Sequence, residues 1–165
     1  MLPNSLEQLE TIRSACKSMV TKRAAASAGG TLVPVPGIDI AADVGLLLEL
    51  LPAVNRKFGL TPDQIDELHP RFKVFLYGII KKVGSDLAGR IITRELVTIL
   101  LKKVGMRVAA KQVLKYVPLA GQAAAAALSY AAMKYVGNAH VDECYEIVKL
   151  ALDGNGKIEP CASDA

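Results

Sequence analysis

The sequence predicts an all-α fold, a compact single domain of seven to nine helices with two central apolar ones. Three observations predict it. Apolar residues recur three or four positions apart, as at Leu6, Leu9, Ile12, Cys16 and Met19. Helix start signals stand ahead of such runs at Ser5 and Thr61. Between runs come proline and glycine clusters that no helix crosses intact, such as Gly29, Gly30, Pro34, Pro36 and Gly37.

The elements follow in order. Ser5 with Gln8 forms a capping box for a first helix reaching about Ala26. After Gly37 comes a strongly apolar helix from Ile38 to Phe58, bent or broken near Pro52 and stopped by Gly59. Thr61, Pro62 and Gln64 start a short helix, with the cap, the fixed φ and the reach back to the cap in sequence. Pro70 disfavours helical geometry at His69, and Arg71 to Val83 forms the next helix. Ser85 is expected to cap a helix from Asp86 towards Val104, irregular at Gly105 and followed by another ending at Pro118. An alanine-rich helix from Gly121 should kink at Gly137-Asn138 and resume from Ala139 to Leu152. Residues 1–152 thus form the helical domain, and 153–165 a polar tail too short to fold alone.

Two loops share one pattern. Val33-Pro34-Val35-Pro36-Gly37 and Val117-Pro118-Leu119-Ala120-Gly121 both read V-P-x-x-G, and each precedes a long apolar helix. Proline ends one segment, and glycine lets the chain lead closely into a helix that is apolar on most faces and therefore central.

The chain has 165 residues, 52% hydrophobic and 22% charged, which excludes disorder over most of its length. That length buries about two-thirds of the unfolded surface in one core. The cysteines, Cys16, Cys144 and Cys161, are odd in number and form no CxxC pair, so no disulfide framework is expected and a reducing compartment is. Acidic Glu7 and Glu10 stand where a secretory signal would be apolar. The longest uncharged run, Tyr116 to Met133, holds Pro118, Gly121, Gln122 and Ser129 among alanines and is expected to pack inside the fold.

No phosphate-loop, serine-hydrolase or zinc-protease motif occurs. His140 and Cys144 share a helical face but are two groups where a zinc site needs more, and a half-buried surface pair is expected. Asp39 and Asp43 lie near a helix N-terminus, where the dipole favours carboxylates. Asp153 to Glu159 resembles the middle of an EF-hand loop, but Ala151 and Ala162 stand where the end carboxylates belong, so a simple turn is expected. No cofactor or metal is expected.

The net charge of +4 matters only where it is clustered. Lys102, Lys103, Arg107, Lys111 and Lys115 gather on one side of a helix whose inward side carries Val97, Leu100, Leu101, Val104 and Val108. Such a helix either covers its own core with a solvated face or lies on an anionic membrane, lysines at the head groups. Nucleic acid is not expected, since aromatic stacking residues are scarce and no reading motif occurs.

Several of these segments resemble the helical region of the immunity-related (interferon-inducible) GTPases, the part that follows the GTPase domain. Leu2-Pro3-Asn4 resembles the stretch leaving the last strand of that domain. Pro36-Gly37, Asp43 and the following leucines resemble the family's I-P-x-x-G loop and next helix, and Phe58-Gly59-Leu60 its F-G-L turn. Tyr116 to Gly121, with Ser129-Tyr130 beyond, resembles its F-I-P-x-x-G segment. The likeness spans about Leu2 to Leu152 and makes Pro34, Pro36, Gly37, Pro118 and Gly121 structural loop positions. The family's GTPase domain has no counterpart in these residues, so its activity transfers to none of them.

The resemblance implies a non-catalytic helical domain that meets intracellular membranes and related GTPases, or a second copy of itself, in cell-autonomous defence. In some family members an amphipathic helix just before the F-I-P-x-x-G segment anchors to membranes. That position falls on Lys103 to Val117 here. A cytoplasmic protein, peripheral on intracellular membranes, is expected. The alternatives are the C-terminal portion of a membrane-associated GTPase and a structural domain that binds proteins alone.

Overall fold

The computed structural model describes residues 2–30, 38–111 and 121–155. They form six helices and, among the described residues, no strand. The helices are α1 (Leu6–Gly30), α2 (Ile38–Phe58), α3 (Pro62–Asp66), α4 (Pro70–Val83), α5 (Arg94–Lys111) and α6 (Gly121–Asn155). The all-α expectation is met. None of the described helices is long and apolar enough to cross a membrane.

Three helices make the centre, and their polar pairs fix the directions. Glu10 meets Tyr145, Arg13 meets Asp142 and Ser27 meets Ser129, so α1 and α6 run antiparallel. Arg23 meets Glu49 while Ser27 meets Asp43, so α2 also runs against α1 and with α6. Between them lie Leu9, Leu47, Leu50, Phe58, Met133 and Ile147, all essentially removed from water. α4 and α5 each pack on α6, and α5 also touches α2.

The local signals worked where one residue did one job. Thr61 caps α3, with Gln64 N donating to its Oγ1 at 3.3 Å and Thr61 N donating to Gln64 Oε1 at 3.2 Å. At α1, Gln8 N donates to Ser5 Oγ as expected, but the Gln8 side chain accepts from Asn4 N, one residue earlier. Gly59 ends α2 at φ 76°, where Leu60 N donates to Asn55 O at 2.8 Å. That six-to-one bond marks a Schellman turn and needs a left-handed residue.

Among the described residues six helices stand where seven to nine were expected, because three expected breaks are absent, and one helix start is shifted. Ser85 caps no helix: its Oγ accepts from Leu87 N and Ala88 N in a tight turn that ends in Gly89 at φ 69°. α5 begins later, where Thr93 Oγ1 accepts from Leu96 N at 3.3 Å. α5 also passes Gly105 unbroken. α2 continues through Pro52, since buried Leu50, Leu51, Val54 and Phe58 hold it on both sides of the one forfeited hydrogen bond. Finally, α6 is one helix of 35 residues with no break at Gly137. That glycine lies against Val20 of α1, so it serves helix contact rather than a kink. α1 likewise runs past Ala26 to Gly30, and Asp153 to Asn155 belong to α6 instead of opening a turn.

Candidate functional site

The expected contact residues concentrate on α5. Val97 is fully buried and Val104 nearly so, with Leu100 and Leu101 partly covered beside them. Lys102 and Lys103 stand on the opposite side, exposed, with Ile99 one turn before them at 61% exposure. α5 holds five cations against the single carboxylate Glu95. Among the described residues neither Lys102 nor Lys103 enters an ion pair. Arg107 and Lys111 belong to the α5 backbone, but their side chains lie outside the described residues, as does all of Lys115. Pro34, Pro36, Gly37 and Pro118 also lie outside them, while Gly121 is the first residue of α6.

Two polar clusters sit inside the bundle, and spacing along the chain foretold neither. In the first, Asp43 of α2 accepts from Ser27 of α1 through one oxygen and from Ser129 of α6 through the other. Asp43 is only 9% exposed and stands in the second turn of α2, past the free N–H groups that were expected to hold it. The side chain of Asp39 lies outside the described residues.

The second cluster links the 85–89 turn, α2 and α6. Asn55 Nδ2 donates to Leu87 O at 2.9 Å, and Cys144 Sγ donates to Asn55 Oδ1 at 3.5 Å. His140 Nε2 lies 3.7 Å from the same sulfur, and Ser85 Oγ donates to Glu143 Oε2 at 2.7 Å. His140 and Cys144 were expected as a half-buried surface pair, but both are enclosed, because α2 and the turn cover that face of α6. Burial pushes the Cys144 thiol well above its ordinary range, which keeps it protonated and a poor nucleophile. Burial likewise raises Cys16 to about 11. Among the described residues, no three His, Cys, Asp or Glu come together as a metal site would need.

At the surface, Arg13 Nε and Nη2 both donate to Asp142 Oδ1, at 3.1 and 2.8 Å, and Lys17 reaches the same oxygen at 2.9 Å. The Arg13 guanidinium also lies 4.4 Å over the Tyr145 ring. A groove of ≈ 250 Å³ between the Leu2–Asn4 segment, Phe72 and the end of α6 exposes polar and apolar atoms about equally and gathers no reactive side chain. No family model, curated protein or solved structure matches the chain.

Acid should weaken both the surface and the buried contacts. Burial opposes charge on Asp142, yet Lys17 and Arg13 outweigh it and hold the carboxyl below its ordinary value. Burial opposes charge on Glu143 too, and His140 with Ser85 outweighs it in the same way. Unfolded Asp and Glu titrate near roughly 3.9 and 4.3. The stability these groups contribute is therefore complete above about pH 5 and lost as pH falls through their lower folded values. Asp142 is 45% and Glu143 37% exposed, so solvent screens both and the acid limb should be shallow. Urea unfolding at a series of pH values should show this acid limb. It should flatten in an Asp142→Asn, Glu143→Gln variant, and an identical slope in both proteins would refute the assignment.

Proposed function

We propose that this chain is a non-catalytic helical domain related to the immunity-related GTPases, binding intracellular membranes peripherally through the outer face of α5. The observation that carries the reading is the pairing of exposed Lys102, Lys103 and Ile99 with an opposite side held in the core by Val97 and Val104. The helix is already anchored, so its cations are presented outward at no cost in folding. Lysines close to an anionic surface each contribute about 1 kcal/mol, and an apolar residue between them adds burial in the acyl boundary. The resemblance places the family's membrane-anchoring segment on Lys103 to Val117, which shares Lys103 to Lys111 with α5. The F-G-L segment that it singles out ends α2 in a left-handed glycine.

The test is sedimentation of the full chain with vesicles of phosphatidylcholine, with and without phosphatidylserine. Binding should require the anionic lipid, weaken with added salt, and fall on the order of tenfold in a Lys102→Glu, Lys103→Glu variant. Unchanged binding in that variant would remove α5 from the contact. Co-purification with a related GTPase, in the absence of any vesicle binding, would favour a protein-binding domain instead.

A further inference from the structure

Four of the six large apolar side chains exposed among the described residues lie on α4, on the turn after it or on the outer face of α5. The α5 residue, Ile99, belongs to the face already described. The other three stand on α4 and just beyond the turn that packs against it. Val74 and Tyr77 of α4 are 74% and 42% exposed, and Ile91 beyond the turn is 79% exposed. On α4, buried Leu76, Ile79 and Ile80 face the core, while Val74, Tyr77 and Lys81 follow one another at helical spacing on the far side. The turn packs where α4 meets α3, at the edge of this stripe: a Cβ on Gly89 would lie 3.1 Å from Ile65 Cδ1, 3.2 Å from Ile80 Cδ1 and 3.5 Å from Tyr77 Cε1. Arg90 and Ile91 follow directly and are exposed.

Basic residues predominate on α4 and the turn, with the acids Asp66 and Glu67 at the end of α3 and Glu95 of α5 flanking them. From Pro70 to Arg94 there are six Lys and Arg and a single acid, Asp86. Of the six, only Lys73 enters an ion pair among the described residues, with Asp66 at 2.8 Å. Lys81, Lys82 and Arg90 are exposed around the apolar three.

We infer that this α4 and 89–91 face is a second docking surface for an anionic membrane, with Val74, Tyr77 and Ile91 entering the acyl boundary and Lys81, Lys82 and Arg90 meeting head-group phosphates. It rests on the membrane reading above but needs nothing from α5. Charge complementarity names the occupant as anionic, and the composition makes it a lipid surface. Lysines are depleted from protein interfaces, whereas at a bilayer their stems lie along the acyl boundary and the ammonium groups reach the phosphates. Tyrosine belongs at that same level, apolar at its ring and wet at its hydroxyl.

The chain has no tryptophan, so a single one reports its own surroundings. Full chains carrying Ile91→Trp, and separately Ile99→Trp, are mixed with phosphatidylcholine vesicles with and without phosphatidylserine. The probe at 91 should shift to the blue on the anionic vesicles and be quenched by lipids brominated in their acyl chains. In sedimentation, Lys81→Gln with Lys82→Gln should weaken binding on the order of tenfold while the thermal melt, read alongside, shows the variant still folded. If the protein sediments while the probe at 91 keeps its solvent emission, or if only the α5 variant loses binding, this face is excluded and the α5 reading stands. If the α4 variant alone loses binding, this face holds and α5 does not. No sedimentation of the unmodified chain overturns both.

Discussion

Replacing Gly137 by alanine should destabilise the protein by about 1–3 kcal/mol, although alanine is the better helix former by roughly 1 kcal/mol. The new methyl carbon would meet Val20 Cγ1 at 2.7 Å and Cγ2 at 2.9 Å, with Leu50 Cδ2 at 3.4 Å. Val20 is fully buried, and its branched side chain has little rotamer freedom with which to withdraw. Relief must come from parting α1 and α6, which loosens the contact on which the core depends. Gly45 is the control, since it too sits inside a helix but nothing lies within 4 Å of an added Cβ. Gly45→Ala should therefore stabilise by about 0.5–1 kcal/mol. Urea unfolding of both variants settles the pair. A Gly137→Ala protein as stable as the original would mean that the two helices can separate without loss.

Asp43→Ala should cost about 2–4 kcal/mol. The carboxylate takes one hydroxyl from α1 and another from α6, so its removal unties three helices at one point. The two serines stand 3.1 Å apart and can still bond each other, which limits the damage. Ser27→Ala and Ser129→Ala should each be costly for the opposite reason, since they leave a buried carboxylate short of donors. The double variant should cost less than the sum of the two if the cluster acts as a unit. The same urea titrations test this. A loss under about 0.5 kcal/mol for Asp43→Ala would show that the carboxylate fares as well in water as in the cluster.

What could be read from the sequence was local, and what could not was made by tertiary contact. Thr61, Pro62 and Gln64 announce α3 because cap, first residue and return bond lie within four positions. Lys102 and Lys103 were placed outward correctly because Val97 and Val104 fix the register of α5. Ser85 is ambiguous along the sequence because a hydroxyl ahead of free N–H groups looks the same before a helix and before a tight turn; the positive φ of Gly89 decides. Gly137 looked like a kink because a glycine inside a helix lowers propensity, and only the nearness of Val20 explains it. His140 and Cys144 were assigned to the surface because nothing along α6 reveals that Asn55 covers them. Asp43 was read as a dipole partner for the same reason, its two serines lying 16 and 86 residues away.

The antiparallel seating of α1 on α6 also orders events in time. α1 finds its main partner in α6, and some 125 residues separate Gly30 from Asn155. At ribosomal rates that interval is on the order of 10 s. Throughout it α2 is the main described helix against which Leu9, Cys16, Val20 and Ala24 can shelter. The decisive packing step thus waits until α6 has been made, and the nascent chain must be kept from association until then.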